Sequence, residues 1–153
     1  MSYSMPDKLM RFGEDIGLES LRYHDRRVSV SKQFTFDAAH HLYLYDGKCN
    51  SLHGHTYKLH VTVSGTLDEL GLVIDFADLR RVVEREVVQR LDHRYLNAVL
   101  PPMNTTAENM VVWIYERLAP ALAREFPRVR VEHLTLWETP TSAASVDRSE
   151  MER

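Results

Sequence analysis

The sequence predicts one α+β domain in which two helices cover one face of a four-stranded antiparallel sheet. Three observations support this fold class. Apolar and polar residues alternate along two segments before residue 65, a period of two that is typical of strands. Two segments follow whose apolar residues recur at helical spacing. Two further strand-like segments lie near the C-terminus, so the predicted order is strand, strand, helix, helix, strand, strand.

The length and composition fit one globular domain. The 153 residues suffice to bury a core, and the hydrophobic fraction of 44% is ordinary. The net charge of -3 offers no basic footprint for nucleic acid. No apolar run approaches the ~20 residues that cross a bilayer, no signal-peptide core is present, and the single cysteine cannot form an intrachain disulfide. We therefore expect a cytoplasmic protein with no nucleic-acid or membrane partner.

The chain divides into an extension, one domain and a short tail. Residues 1–26 are expected to be an N-terminal extension that is partly ordered at best, because Gly13 and Gly17 interrupt any helical pattern. Residues 27–147 carry all the predicted strands and helices, and residues 148–153 form a C-terminal tail.

The first two strands are predicted to form an antiparallel pair. Valines and phenylalanines alternate with polar residues over 28–38, and a histidine pair follows. An Asp-Gly turn signal within residues 42–48 then returns the chain to the second strand. This pairing can bring His40 beside His53 and His55.

The histidines of this pair have the spacing of metal ligands. His53 and His55 are two apart on a strand, so their side chains share a face with Cα atoms roughly 6.6 Å apart. Gly54 between them lets the backbone bend to fit a ligand geometry. A catalytic zinc usually takes three protein ligands, and His40 is the best third candidate. His41 is expected to face the other way and is the weaker candidate.

Two helices are predicted next. Asp75 is the expected N-cap of the first, which should end near residues 91–93. The second opens with a Thr-x-x-Glu capping box formed by Thr105 and Glu108. Pro120 should kink or shorten this second helix.

The last two strands are predicted over 129–137 and 143–146. With both helices on one face, the other face of the sheet must be solvated or covered by another subunit. A four-stranded open sheet also leaves unpaired edges, which oligomerisation can close.

Cys49 has two interpretations. It could be a small buried hydrophobe, as free cysteines often are. It lies instead in a polar loop, four residues before His53, which is unsuited to core packing. A nearby cation would lower the pKa of its thiol, and the thiolate could then accept a proton from a substrate. We favour this role as a general base.

Six short motifs, in this order, resemble the signature of the pyruvoyltetrahydropterin synthase and 6-carboxytetrahydropterin synthase family. They are Phe36-Asp37-Ala38-Ala39-His40, Cys49-x-x-x-His53-Gly54-His55, Ile74-Asp75-Phe76, Leu91-Asp92-His93, Thr106-Ala107-Glu108-Asn109 and Glu138-Thr139. The resemblance spans roughly residues 29–146. It implies the tunnelling fold (T-fold), in which subunits of a homo-oligomer, here expected to be a hexamer, join their sheets into a barrel. It also implies active sites at subunit interfaces and dihydroneopterin triphosphate as the substrate.

The resemblance also implies roles for individual residues. Without the resemblance, Asp92 and His93 are explained as polar residues at a helix C-terminus. The resemblance implies that they form a proton relay that works with Cys49. Glu138 becomes the acceptor of paired hydrogen bonds from the pterin amino group and ring nitrogen, and Thr106 lines the same pocket. The bound metal is Zn²⁺, with His40, His53 and His55 as its ligands.

The spacing of one motif favours one branch of the family. Three residues separate Cys49 from His53, which resembles the 6-carboxytetrahydropterin synthases of the deazaguanine (queuosine) pathway. The expected activity is that of a zinc-dependent lyase that releases acetaldehyde and triphosphate. The alternatives are a 6-pyruvoyltetrahydropterin synthase and a non-catalytic module that binds zinc and pterin. Cys49, Asp92 and His93 argue against the last, because a binding module needs no proton-transfer set. Trp137 stands where relatives commonly have a smaller or basic residue, and it is expected to alter the pocket wall.

Overall fold

The structure is a computed structural model that describes residues 16–153, and its centre is a five-stranded sheet with helices packed on one face. The strands are β1 (Arg27–His40), β2 (His53–Thr66), β3 (Arg94–Tyr95), β4 (Arg130–Thr139) and β5 (Ser142–Asp147), in the order β3-β1-β2-β4-β5. The helices are α1 (Phe76–Val83), α2 (Gln89–Leu91), α3 (Leu96–Val99), α4 (Ala107–Glu125) and α5 (Arg148–Met151). A π-helical turn (Glu84–Val88) joins α1 to α2, and 3₁₀ turns span Leu18–Ser20 and Lys48–Asn50. The predicted α+β class is confirmed.

The antiparallel pair of β1 and β2 forms the middle of the sheet. Each strand has 14 residues, and the register runs from Arg27 opposite Thr66 to His40 opposite His53. β1 therefore continues past its predicted end at Ala38, because the ladder with β2 extends to the histidines. The face of β2 that packs against the helices is fully buried and consists of Tyr57, Leu59, Val61 and Val63.

The helices cover this face with their apolar stripes. Asp75 caps α1 as predicted, since its carboxylate accepts the Ala77 N–H at 2.7 Å. Burying one such aliphatic side chain contributes about 1.5–3 kcal/mol, so the stripes hold the helices on the sheet. The stripes include the fully buried Leu79, Leu91, Met110, Ile114, Leu118 and Leu122.

The cap of α4 lies one residue later than predicted. Thr106 is the N-cap, and its hydroxyl accepts the Asn109 N–H at 3.3 Å, so the expected capping box of Thr105 and Glu108 is wrong. Thr105 is fully buried and contacts a histidine of the sheet instead. Two consecutive threonines satisfy the capping pattern almost equally, and tertiary packing decides between them.

Pro120 does not end α4, which continues to Glu125. The missing N–H of Pro120 leaves the carbonyl of Glu116 without its helical partner. Both residues are exposed, so water can bond that carbonyl and the helix persists.

The sheet contains one strand that the sequence did not predict. β3 has only two residues, too few for a detectable period, and pairs in parallel with Ala38 and Ala39 of β1. The predicted strand at 143–146 is confirmed as β5. The expectation for the extension falls partly outside the described residues, because these begin at residue 16. Within residues 16–153 no helix combines the length and apolarity needed to span a bilayer.

The capping assignment predicts the effect of one substitution. Thr106→Ala should lower the free energy of unfolding by about 1 kcal/mol, because the N–H at the start of α4 loses its acceptor. Denaturant unfolding at constant m-value measures this change. Thr106→Ser keeps the hydroxyl and should retain most of the stability; an alanine variant as stable as the parent would contradict the assignment.

Candidate active site and metal centre

Three histidines converge where β1 ends and β2 begins. The register places His40 opposite His53 and Ala38 opposite His55, so all three imidazoles lie together on one face. The Nε2 atoms of His40 and His53 are 3.1 Å apart, and the ring centroids of the three pairs are 4.6, 5.1 and 4.8 Å apart. His40 is buried and the other two are partly exposed, so the cluster opens to one side. The juxtaposition predicted from the spacing is present.

Backbone carbonyls fix the tautomers of two of these rings. Nδ1 of His40 lies 2.8 Å from the Thr105 carbonyl, and Nδ1 of His53 lies 2.7 Å from the Ser51 carbonyl. A carbonyl only accepts, so each Nδ1 must donate and each Nε2 carries a lone pair in the neutral ring. Such bonds from the second ring nitrogen are typical of metal-ligating histidines.

In the neutral rings, the Nε2 lone pairs of His40 and His53 therefore face each other. Two unprotonated nitrogens at 3.1 Å repel unless a cation lies between them. Nε2 of His55 is also buried without a hydrogen-bond partner. Burial lowers the pKa of His55, which keeps this ring neutral and its lone pair available.

Glu138 adds a carboxylate to this cluster. Its Oε1 lies 3.3 Å from Nε2 of His40 and 3.1 Å from Nε2 of His55. The hydrogen bond with the His40 ring, followed by the charges of His55 and His40 when these rings are protonated, lowers the pKa of Glu138, so the carboxylate stays ionised and can only accept. All four ligand atoms lie within 4.8 Å of one another. Three imidazoles and a carboxylate are a donor set that suits zinc, so these residues could hold a metal ion.

A β-bulge sets the position of Glu138. In the pairing of β4 with β5, the register shifts between Trp137, opposite Ala143, and Thr139, opposite Ser142. Glu138 is the unpaired residue at this shift. Bulges re-aim a side chain, and here the carboxylate points at the histidines. Nothing in the sequence period reveals such a shift.

Cys49 lies in the 3₁₀ turn Lys48–Asn50, directly before the histidines, and is half-buried. The turn is attached on both sides. The Leu42 N–H donates to the Cys49 carbonyl at 2.8 Å, and the Ser51 carbonyl bonds His53. The thiol is not part of the histidine cluster itself.

Asp92 and His93 do touch, which sequence adjacency alone does not guarantee. Nδ1 of His93 lies 3.0 Å from Oδ2 of Asp92, and His93 has the uncommon positive φ of 56°. The other carboxylate oxygen accepts the Asp37 N–H at 2.9 Å. This backbone bond, followed by the contact with His93, lowers the pKa of Asp92. The carboxylate therefore stays ionised and fixes the imidazole, which is 79% exposed.

Two cavities meet at the strand segment Gly54 to Thr56. One, of about 620 Å³, is lined by residues that include His55, His93 and Arg94. The other, of about 570 Å³, is lined by residues that include His55, Trp137 and Glu138. His55 thus connects the cavity of the Asp92–His93 pair with that of Glu138. Among the described residues, Thr106 lines neither cavity.

Other polar groups lie near the site. His41 faces away from the cluster, and its Nδ1 bonds the Tyr95 hydroxyl at 2.7 Å, in agreement with its weaker candidacy. The hydroxyl of Tyr57 is buried without a partner, and burial followed by the charge of Glu138 raises the pKa of Tyr57 far above its usual value. No sequence signal indicates that Thr105 and Ser51 orient the histidines, because both contacts use a backbone carbonyl, which any residue carries.

The fold and site together define a T-fold chain with a histidine centre of the kind that binds a metal. The sequence profile described as 6-pyruvoyl tetrahydropterin synthase matches residues 29–149, and the chain belongs to that family. The structure of 6-pyruvoyl tetrahydropterin synthase from Caenorhabditis elegans is 27% identical, with a TM-score of 0.72 over 82% of this chain and 98% of that one. The family and fold predicted from the sequence are confirmed.

Two relatives carry different names. The 6-carboxy-5,6,7,8-tetrahydropterin synthase of Haemophilus influenzae is 37% identical over 74% of this chain and 94% of its own length. The dihydroneopterin monophosphate aldolase of Pyrococcus furiosus is 41% identical over 73% of this chain and 90% of its own length. Together with the family match, relatives named as synthases support a lyase activity of the pterin synthase type.

Because Thr105 contacts His40, substitutions of the adjacent Thr105 and Thr106 should differ in their effect on metal affinity. Thr105→Val removes the hydroxyl 3.0 Å from Nδ1 of His40 but leaves the carbonyl bond, so affinity for a divalent ion should fall about tenfold. Competition with a chromophoric chelator measures this affinity. Thr106→Ala is the matched control and should leave it unchanged; equal losses in both variants would contradict the assignment.

Proposed function

We propose that this protein is a zinc-dependent lyase that converts 7,8-dihydroneopterin triphosphate to 6-carboxytetrahydropterin, with release of acetaldehyde and triphosphate. The observation that carries the proposal is the convergence of the His40, His53 and His55 imidazoles beside a cavity that His93 also lines. The metal is proposed to be zinc because imidazole and carboxylate ligands suit it and one side of the cluster remains open to substrate.

The chain's own residues supply the proton transfers of the proposed reaction. When bound, the zinc ion would supply a Lewis acid that stabilises negative charge on the substrate's side-chain oxygens. The Cys49 thiolate accepts a proton from the carbon chain. His93, held by Asp92 at 3.0 Å, exchanges a second proton through its exposed ring. The ionised Asp92 stabilises the imidazolium form that this exchange requires.

Glu138 is proposed to bind the pterin ring. Its carboxylate borders the cavity of about 570 Å³ and stays ionised, as an acceptor of paired hydrogen bonds requires. Its contacts with His40 and His55 support a position of the pterin ring next to the proposed metal ligands. Thr106, proposed from the family resemblance as a second pterin contact, is explained in this chain by its capping bond.

We also propose that the protein is a homo-oligomer, a hexamer, with its active sites at the subunit interfaces. The sheet is open, with β3 and β5 at its edges. The loop beside Cys49 exposes large apolar side chains, which suits contact with a second copy. They are Tyr43, Leu44, Tyr45 and Leu52.

Two observations favour the carboxy product. Three residues separate Cys49 from His53, and two relatives are named 6-carboxy-5,6,7,8-tetrahydropterin synthase. The runner-up is the pyruvoyl product, supported by the human 6-pyruvoyl tetrahydrobiopterin synthase at 38% identity over 63% of this chain. The relative at 41% identity favours a further candidate, aldol cleavage of dihydroneopterin monophosphate.

A product assay tests the reaction. The zinc-loaded protein, incubated with dihydroneopterin triphosphate, should release acetaldehyde and form a carboxypterin identified by mass. Cys49→Ala should reduce the rate by about 10²–10⁴-fold, the range that a positioned acid or base contributes. A pyruvoyl product, or turnover of the monophosphate alone, would replace the proposed reaction with the corresponding candidate.

Metal analysis tests the centre independently of turnover. His53→Ala should lose most bound zinc, since one of three imidazole ligands is removed. His60→Ala is the matched control, because His60 lies on the same strand but outside the cluster. Zinc content per chain after dialysis gives the answer. Equal zinc retention by both variants would exclude this cluster as the site.

A further inference from the structure

Two asparagine side chains clamp the loop that follows β1. Asn97 accepts the His41 N–H through Oδ1 at 3.1 Å and donates through Nδ2 to the His41 carbonyl at 2.9 Å. Asn104 does the same for Tyr43, at 2.7 and 3.1 Å. Each amide thus satisfies both backbone groups of one residue, as a neighbouring strand would.

Leu42, the residue between the two clamped ones, is bonded to the backbone of Cys49. The N–H of Leu42 donates to the Cys49 carbonyl at 2.8 Å. The asparagines thus bond residues 41 and 43, and the turn that carries Cys49 bonds residue 42 between them.

Both clamps come from the segment that supports the rest of the site. Asn97 belongs to α3, and its Oδ1 also accepts the Thr105 hydroxyl at 3.4 Å. The Asn104 carbonyl accepts Nδ2 of Asn109, which fixes Asn104 to the start of α4. This segment, residues 92–105, is also bonded to β1, since the His93 N–H donates to the Asp37 carbonyl at 2.6 Å.

We propose that Asn97 and Asn104 are positioning residues for Cys49, which hold its turn in place through the backbone of residues 41–43. The inference rests on the proposed role of Cys49 as general base. The loop beyond Tyr43 is exposed, and Leu44 has a positive φ of 55°. The clamps connect the start of this loop to the segment that leads into α4. Misplacing a reacting group by 1 Å can cost about 10²-fold in rate.

Substitution of Asn104 tests the inference. Asn104→Ala removes both hydrogen bonds to Tyr43, whereas Asn104→Asp keeps the acceptor for the N–H and loses the donor to the carbonyl. We expect kcat to fall about 10–100-fold in the alanine variant, with KM within about twofold, and an intermediate fall in the aspartate variant. Zinc content should equal that of the parent, because Asn104 contacts none of the histidine ligands.

Alkylation of Cys49 gives a readout that does not need turnover. Asn104→Ala should release the turn. Its half-buried Cys49 thiol should then react with iodoacetamide at least threefold faster than that of the parent protein, measured at pH 8.5. Gln33→Ala removes an exposed amide from β1 and is the matched control for both measurements. Should the alanine variant fail to fold, the aspartate variant carries the test.

The outcomes separate this inference from the proposed function. If the parent protein turns over none of the pterin substrates, the proposed function fails, and the alkylation rates of the Asn104 variants alone decide the clamp. If the parent is active and both kcat and alkylation of the Asn104 variants match those of Gln33→Ala, the clamp is overturned. A loss expressed in KM alone, with kcat unchanged, overturns it too, because positioning of a base acts on the chemical step.

Discussion

The antiparallel register of β1 and β2 is the constraint on which the site depends. Side chains alternate along a strand, so the pairing that puts His40 opposite His53 also directs Phe34 and Phe36 into the core. A slip of one residue would turn the phenylalanines to the outer face and separate the imidazoles. The hydrophobic free energy that selects this register therefore also assembles the histidine cluster, and no metal is needed to choose it.

The sheet alone does not fix the orientation of the groups around the histidine cluster. A neighbouring segment, residues 92–105, fixes them through hydrogen bonds. The segment bonds β1 through Asp92, orients His40 through Thr105, and clamps the following loop through two asparagines. Nearly all of these contacts use a backbone group on at least one side. Such contacts depend on the path of the backbone. Because α4 holds the end of this segment, a shift of α4 would also shift the groups that contact the histidines.

The histidine cluster could be predicted from the sequence because its determinants are local: a two-residue spacing, a strand period and a turn. The contact of Asp92 with His93 depends on the backbone and side-chain conformation, which adjacency in the sequence does not determine; His93 has a positive φ, and its ring lies 3.0 Å from the carboxylate. Thr105 was misassigned as a cap because its neighbour has the same side chain. The position of Glu138 depends on a bulge, and a bulge leaves the alternating pattern almost unchanged.

The family supports three differently named reactions among relatives at 37–41% identity, so the fold alone does not select the product. A metal centre that stabilises charge on side-chain oxygens would serve all three. Selection must then come from groups that contact the substrate's side chain or place the base. Here Lys58 and Trp137 are directly opposed across β2 and β4 and line the cavity of Glu138, which gives that wall a cation and a large aromatic surface. The turn that carries Cys49, the proposed base, lies directly before His53 and is the second feature expected to matter. The product is therefore expected to follow these surrounding groups rather than the histidine cluster itself.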